Sequence, residues 1–349
     1  MKKVWWIFVI AAPVFAVSMA GVMVYYMMSI WQYSGENIVF EIKPGEGFSR
    51  INGRLHNKGI ISSAKIFHRY AQINQLMTKF KAGRFEIQNG SNMMQVLETL
   101  VEGQSITNPV TIPEGKNLFE IADILKAEKI IENKADFIRL AKDPQFVKSL
   151  GIPSERVEGY LYPDTYRFTP KSDPKDIITA MVSVFRKKTD RLDFSKAPQD
   201  LNEFQVLTLA SVVEKETGAA QERPLIAGVF INRLKKRMRL QSDPTTIYGI
   251  YESFDGNLRK RDLLQKTPYN TYKIPALPKG PISNPGLLSI KAVLNPDAHQ
   301  FLYFVSLNNG RHYFSKTYKE HKGAVEKYQK NWKARSGKSW RDLNKKEEK

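Results

Sequence analysis

Three carboxylates lie close together in the stretch "SVVEKETGAAQERPLIAGVFINRL", residues 211–234. Glu214, Glu216 and Glu222 fall within nine residues of one another. Carboxyl groups serve as general acids and bases in many enzymes, yet on most helices such residues simply face water. The stretch therefore has two interpretations, a solvated helix face or a carboxyl group that takes part in catalysis.

A single helix is predicted to carry the first two of these carboxylates. Asp200 and Glu203 match a capping pair at its start, and Gly218 is a suitable C-terminal stop, so we expect the helix over residues 201–217. Both glutamates of the "EKE" run then fall in its last turn.

The last helical turn is unfavourable for negative charge because the macrodipole is negative there. Helical spacing also sets both Glu214 and Glu216 beside apolar side chains. Both effects raise the pKa of a carboxyl group, as a general acid near neutral pH requires. Periodicity alone does not choose between the two residues, and we expect Glu→Gln at either position to leave stability nearly unchanged.

Composition excludes several classes of site. The 349 residues contain no cysteine, which removes disulfides and thiolate nucleophiles. The five histidines form no close ligand pair, so we expect neither a metal nor a cofactor. The net charge of 54 − 35 = +19 favours anionic surroundings, but no nucleic-acid-binding motif is present, and a basic surface near a membrane or wall is the preferred interpretation.

The N-terminus predicts one transmembrane helix. Residues 4–28 carry no charge, and 25 residues at about 1.5 Å each span roughly 38 Å, enough for a bilayer core. Lys2 and Lys3 precede the span and Glu36 is the first charge after it, so the N-terminus is predicted to be cytoplasmic and the rest of the chain periplasmic. Aromatic side chains flank the span at Trp5, Trp6, Tyr25, Tyr26 and Trp31.

A cleaved signal peptide is the alternative, because "SMA" before Gly21 fits a small-x-small cleavage site. The apolar run continues well past that point, which favours an uncleaved anchor. The expected location is therefore the cytoplasmic (inner) membrane, with a single pass.

A strand, turn and helix pattern recurs along the next part of the chain. The copies share apolar positions and a turn glycine, which indicates a short strand, a glycine-dependent turn and an amphipathic helix. In the fourth copy lysine replaces the glycine. The four copies are "FEIKPGEGFSRINGRL" from Phe40, "FEIQNGSNMMQVLETL" from Phe85, "VTIPEGKNLFEIADIL" from Val110 and "YRFTPKSDPKDIITAM" from Tyr166; the turn residues are Gly45, Gly90, Gly115 and Lys171.

These units predict an α+β protein with small α/β modules ahead of a mixed α/β catalytic domain. A Pro-, Asp- and Lys-rich seam near residues 189–200 is expected to separate them. The unit resembles the LysM-type carbohydrate-binding module; alternatively it is only a stable structural repeat. The expected segments are 1–30 (cytoplasmic N-terminus and anchor), 36–105 (LysM-like module), 106–195 (second α/β module), 200–332 (catalytic domain) and 333–349 (basic tail).

Longer motifs carry a family resemblance. The runs "ASVVEKETG", "ERPLIAGVFINRLKKRMRLQSDPTTIYGI", "TPYNTY", "LPKGPISNPGLLSIKAVLNP" and "EGYLYPDTYRF" resemble those of the YceG/MltG family of membrane-anchored endolytic murein transglycosylases. The resemblance extends from the anchor to about residue 330.

This resemblance implies a lytic transglycosylase that cuts peptidoglycan within the glycan strand. The family's catalytic acid maps to Glu216, and the Glu216–Thr217 pair resembles the Glu-Ser pair of other lytic transglycosylases. Glu214 is then a neighbour. The cleft wall implied by the matching motifs comprises Arg239, Gln241, Asp243, Thr245, Tyr269, Asn270, Tyr272, Ser283 and Asn284.

One carboxyl group suffices for this chemistry. Glu216 protonates the oxygen between MurNAc and GlcNAc and then accepts the proton of the MurNAc C6 hydroxyl, which closes a 1,6-anhydro ring without water. Two alternatives remain: a conventional muramidase that uses Glu216 and Asp243, and a non-catalytic peptidoglycan-binding scaffold. The implied partners are glycan strands and the membrane, with peptidoglycan synthases as further candidates.

Overall fold

The computed structural model describes residues 2–43, 45–216 and 218–331, and the side chains from residue 12 onward. The predicted basic tail, 333–349, lies outside the described residues. The chain is mixed α/β and divides into two compact units, Met1–Asn108 and Pro109–Lys349. The strands of the described part form three two-stranded sheets.

Helix α1, Lys2–Ile30, is long and apolar enough to cross a membrane. Within Ala12–Ile30, only 6% of the most apolar stretch of the helix is buried, and side chains such as Phe15 and Met19 are exposed. Near the end of α1, Met28 is fully buried in the core of the first unit. The helix is therefore a candidate anchor whose last turns pack against the folded part of its own unit.

The first unit contains two antiparallel strands and three further helices. Phe40 pairs with Phe85 across the strands, and both side chains are buried. The elements after α1 are β1 (Ile38–Ile42), α2 (Phe48–Asn57), α3 (Ala64–Ile73), β2 (Gly83–Ile87) and α4 (Met93–Val101).

The second unit carries the remaining elements around one hydrophobic core. Strands β3 and β4 form one sheet, and β5 and β6 form an antiparallel hairpin. The strands are β3 (Asn108–Thr111), β4 (Thr165–Phe168), β5 (Tyr303–Ser306) and β6 (His312–Ser315). The helices are α5 (Leu118–Ala127), α6 (Lys134–Ala141), α7 (Pro144–Ser149), α8 (Pro174–Thr189), α9 (Glu203–Glu216), α10 (Arg223–Lys235), α11 (Asp243–Gly249), α12 (Lys260–Leu264), α13 (Leu287–Leu294) and α14 (Tyr318–Val325).

The predicted strand, turn and helix repeat is confirmed. Each copy consists of a strand, a turn residue with positive φ and a helix, and the copies pair within each unit, β1 with β2 and β3 with β4. Lys171 takes the left-handed conformation in the fourth copy at φ 63°, so the turn geometry survives without glycine. The other turn residues are Gly45 at φ 74°, Gly90 at 82° and Gly115 at 76°.

The seam near residues 189–200 does not divide the second unit. It forms two short 3₁₀ turns, Phe194–Lys196 and Pro198–Asp200. Ala197 and Leu201 are buried in the hydrophobic core of the second unit. Polar composition suggested a linker, but these two apolar side chains attach the segment to the core.

Candidate active site

Helix α9 positions the two central glutamates and ends at Glu216. Its start differs from the predicted capping pair of Asp200 and Glu203. Asn202 and Gln205 form the reciprocal cap, with each side chain accepting the other's backbone N–H at 3.0 Å. Glu203 instead accepts a 2.7 Å bond from Arg186, and this ion pair removes it from the cap.

Glu216 is partly buried and held by a hydroxyl group. The Ser242 Oγ donates to Glu216 Oε1 at 2.6 Å. Burial raises the pKa of Glu216 to about 7, although the Ser242 hydrogen bond lowers it. The negative charge of Asp243 raises the pKa further, and the positive charge of Arg233 lowers it. A carboxyl group that is about half protonated at neutral pH can both donate and accept a proton.

Ser242 is itself fixed from several sides. It precedes α11 at the N-cap position, but its hydroxyl makes no cap bond and is directed to Glu216 instead. Its backbone N–H donates to Thr271 Oγ1 at 3.0 Å, and its carbonyl accepts from Thr245 Oγ1 at 2.6 Å. The hydroxyl therefore comes from a rigid support, which favours one orientation of the carboxyl group.

Arg233 supplies a buried positive charge beside Glu216. Its side chain projects from α10, and the residue is 7% exposed. Its guanidinium donates to the backbone carbonyls of Leu302 at 2.7 Å and Leu240 at 2.6 Å. Because carbonyls satisfy these donors, the charge remains available to stabilise the carboxylate that forms when Glu216 gives up its proton.

Glu214 has a different environment from Glu216. Its side chain is 6% exposed and forms a 2.9 Å ion pair with Arg223, whose side chain is 11% exposed. Its other oxygen accepts the Gly286 N–H at 2.9 Å. Glu214 therefore connects three segments of the unit. The expectation of unchanged stability on Glu→Gln substitution no longer holds for this residue.

The turn of the third repeat lies against the ion pair of Glu214 and Arg223. Gly115 donates its N–H to the Asn284 carbonyl at 2.9 Å, and its carbonyl accepts from Lys215 Nζ at 3.3 Å. Glu114 lies 3.4 Å from Arg223. A Cβ at Gly286 would meet the Glu114 carboxylate, which would have to move to make room for it. The repeat turn is thus part of the structure around the end of α9.

Four of the residues implied as cleft wall keep exposed or partly exposed side chains near Glu216. Tyr272 donates its hydroxyl to Asp243 at 2.6 Å, and the Tyr272 carbonyl accepts from Arg239 at 3.0 Å. Gln241 is exposed and adopts φ 50° in the segment leading to Ser242. Burial, and then the bond to Asp243, raise the pKa of Tyr272. These four side chains therefore remain accessible, and the charge of Asp243 acts directly on Glu216.

The other five implied residues lie in the interior, with side chains no more than 8% exposed. Asn270 accepts from Thr246 Oγ1 at 3.0 Å and donates to three carbonyls, among them that of Gln265 at 2.6 Å. Such saturated amides fix loops. The five are Thr245, Tyr269, Asn270, Ser283 and Asn284.

Asn284 joins the interior to a buried carboxylate, Glu158. Asn284 Nδ2 donates to Glu158 Oε1 at 2.7 Å, and the Tyr248 hydroxyl donates to Oε2 at 2.9 Å. The Leu118 N–H at the start of α5 points at both oxygens. Burial raises the pKa of Glu158 to about 7, while these donors lower it. This network holds the loop that carries Gly286 and, through it, Glu214.

Sequence reasoning missed Ser242, Arg233 and Arg223. Arg233 had a readable signal: it follows Ile226, Val229 and Phe230 on one apolar face of α10 at helical spacing. A charged residue on such a face needs partners. Ser242 gave no such signal, because its partner Glu216 is 26 residues away. Arg223 is nine residues from Glu214, in the next helix, and no pattern along the chain indicated that the two side chains pair. Thr217 lies outside the described residues.

Ser242→Ala tests the support of Glu216. A hydrogen bond to a charged group contributes about 1.5–3 kcal/mol, so we expect activity to fall by roughly tenfold or more. Because the hydroxyl lowers the pKa of Glu216, its loss raises that pKa, and the acid form persists to higher pH. The alkaline limb of the pH profile of kcat/KM should therefore shift to higher pH. A profile that stays in place or moves to lower pH would contradict this role.

Within residues 12–43, 45–216 and 218–331, no group of three or more His, Asp or Glu side chains could hold a metal ion. The described site offers a carboxyl group with a pKa of about 7, a hydroxyl donor and a buried cation.

Comparison with known proteins identifies relatives along most of the chain. The sequence model of the YceG-like family matches residues 40–327. An endolytic murein transglycosylase of Bacillus subtilis is 33% identical over 313 residues, 84% of this chain and 86% of that one. One of Streptococcus pneumoniae serotype 2 is 29% identical over 318 residues, and the match covers 58% of its length. A crystal structure of a yceG-like protein from Listeria monocytogenes is 36% identical with TM-score 0.54, over 83% of this chain and 100% of that one.

Proposed function

This chain belongs to the YceG-like family, and from this premise we infer that it is a lytic transglycosylase acting on peptidoglycan. We further propose that it cleaves the bond between MurNAc and GlcNAc within glycan strands and leaves 1,6-anhydroMurNAc ends. The observation that supports this reaction is that the Glu216 carboxyl group has a pKa of about 7 and accepts a hydrogen bond from the Ser242 hydroxyl.

The proposed reaction needs one carboxyl group in two roles. Protonated Glu216 gives its proton to the bridging oxygen as the bond from that oxygen to C1 of MurNAc breaks. The carboxylate then takes the proton from the C6 hydroxyl, whose oxygen bonds to C1. Glu216 ends protonated, as it began, and no water is consumed. Arg233 stabilises the intermediate carboxylate.

Product analysis tests this function. The protein is incubated with purified sacculi, and the released muropeptides are identified by mass spectrometry. We expect anhydro ends, which are lighter than borohydride-reduced ends by about 20 mass units. The difference is one water, lost when the anhydro ring closes, plus the two hydrogens that reduction adds to an ordinary end. Endolytic cleavage releases long glycan fragments that carry anhydro ends. Cleavage from the strand tip would instead release disaccharides one after another.

Two other outcomes correspond to the alternatives. Reducing ends would indicate a muramidase, and Asp243 is its candidate second carboxylate, because the charge of Asp243 acts on Glu216 and its oxygen accepts from Tyr272. Unchanged sacculi would indicate a binding scaffold. Either result contradicts the lytic reaction.

Helix α1 is consistent with a membrane anchor. We propose that it crosses the cytoplasmic membrane once with Lys2 and Lys3 inside, which places Glu216 on the periplasmic side. Retention in the membrane fraction after a high-salt wash supports the anchor. A mature N-terminus at Gly21 would overturn it.

The first unit is proposed to bind glycan as a LysM-like module. Its order β1, α2, α3, β2 places two antiparallel strands around a pair of helices and gives the unit its own core. The test is sedimentation of residues 36–105 with insoluble peptidoglycan. A folded fragment that stays in the supernatant contradicts the proposal and leaves the repeat a structural element.

The proposed membrane anchor suggests a cellular role. We propose that the enzyme ends the elongation of new glycan strands close to the synthases that make them. Longer strands in cells that lack the protein would support this role, and unchanged strand length would oppose it.

A further inference from the structure

Three aromatic rings cluster where β5 meets the start of α14. The Tyr303 and His321 rings stack with centroids 5.1 Å apart and planes 20° apart. The Tyr318 ring lies 6.0 Å from Tyr303 and 6.4 Å from His321. We call Tyr303, Tyr318 and His321 the aromatic platform. Thr317 caps α14 and accepts the Glu320 N–H, which fixes Tyr318 at the first position of the helix.

The platform presents an accessible ring. Tyr318 is 66% exposed, whereas Tyr303 and His321 are partly buried beneath it. Burial and the nearby Arg233 charge lower the pKa of His321, so its ring is neutral at neutral pH. Its Nδ1 is buried with no hydrogen-bond partner among the described residues.

Arg233 links the platform to Glu216. Its guanidinium lies over the Tyr303 ring, 5.3 Å from the centroid. The same guanidinium lowers the pKa of Glu216, so both groups are its neighbours. Arg233 also bonds the carbonyls of Leu302, just before Tyr303, and Leu240, two residues before Ser242. The aromatic platform and the catalytic carboxyl group are therefore both neighbours of the Arg233 guanidinium.

Sugar rings combine an apolar C–H face with a polar rim, and binding sites match them with aromatic faces and a few polar groups. We propose that the aromatic platform is a subsite that stacks an N-acetylhexosamine ring of the glycan strand, next to the bond that Glu216 cleaves. This inference rests on the proposed function for its ligand. The exposed ring of Tyr318 is the contact surface, and Tyr303 and His321 hold it in place.

Tyr318→Ala in the full-length, detergent-solubilised protein tests the subsite. Tyr313→Ala is the matched control, since Tyr313 is also exposed, at 42%, but packs against Tyr328 at 6.0 Å and is not part of the platform. In the Glu216→Gln background we expect Tyr318→Ala to weaken binding of purified glycan strands by about 3- to 10-fold, the range of an aromatic contact. In active protein, KM should rise by the same factor with kcat nearly unchanged.

Tyr318→Phe should retain the affinity, because stacking needs the ring and not the hydroxyl. Equal affinity of Tyr318→Ala and Tyr313→Ala, with both variants folded, would overturn the subsite, and so would a loss of kcat at unchanged KM. Failure of the proposed function is distinguishable. Wild-type protein would then leave no anhydro ends, while the Glu216→Gln protein would still lose strand affinity on Tyr318→Ala.

Discussion

Glu216→Gln is expected to reduce formation of anhydro ends by roughly 10³- to 10⁴-fold, the upper part of the range for positioned acid-base catalysis. Gln keeps the size of the side chain and can still accept the Ser242 hydroxyl at Oε1. It has no proton to deliver to the bridging oxygen and cannot take one from the C6 hydroxyl. Both steps of the reaction fail together, because one residue serves both.

The measurement is the rate of anhydro-muropeptide release from sacculi, with folding checked by circular dichroism. Glu214→Gln is the matched control two residues away; it should lose far less activity when compared at equal folded fraction. A folded Glu216→Gln protein that forms anhydro ends at a near-normal rate would falsify the catalytic assignment, and the stretch would then be a charged helix face.

Glu216 also couples stability to pH. Its pKa in the folded protein, about 7, lies above its ordinary value, because burial disfavours the charged form. The folded state therefore binds the proton more tightly than the unfolded state does. The stabilising contribution is complete below the unfolded pKa, is lost progressively as pH rises from there through about 7, and does not change further at higher pH. Glu216→Gln removes this dependence and should be at least as stable as the parent protein at neutral pH.

Much of the fold could be predicted because its signals are local. The repeat positions combine period-2 strands, helical spacing and a turn residue with positive φ, and all of these act within about sixteen residues. Even Lys171 was aligned correctly, since the apolar residues on both sides of it kept their spacing. The end of α9 at Glu216 lay within one residue of the predicted position, and the N-terminal apolar helix was predicted from composition alone.

The parts that could not be predicted depend on contacts between distant segments. The amide of Asn284 looked like a sugar ligand, yet it bonds Glu158, 126 residues away. Residues 189–200 were predicted to be a linker, but the buried side chains of Ala197 and Leu201 attach this segment to the core of the second unit. At the cap of α9, Asp200 and Asn202 are both acceptable by type. Glu203 forms an ion pair with Arg186, and the capping hydrogen bonds are made by Asn202 and Gln205 instead.

The two glutamates of the "EKE" run differ most in what they do for stability. Glu214→Gln is expected to lower the free energy of unfolding of the second unit by about 3 kcal/mol, the lower end of the range for breaking a buried ion pair. The substitution leaves the Arg223 guanidinium buried, with the Glu114 carboxylate at 3.4 Å as its remaining ion-pair partner among the described residues. Gln can still accept the Gly286 N–H, so the loss comes chiefly from the unpaired cation.

A double-mutant cycle in urea, followed by circular dichroism, isolates this term. Arg223→Met alone should also destabilise, because it leaves the Glu214 carboxylate unpaired. The Glu214→Gln, Arg223→Met double variant should cost less than the sum of its two single substitutions, since no buried charge is left without its partner. Strictly additive losses, or a Glu214→Gln transition at the parental urea concentration, would show that the pair contributes little. The adjacent Glu216→Gln variant, which should not lose stability, shows whether any measured loss belongs to the ion pair or to the end of α9 in general.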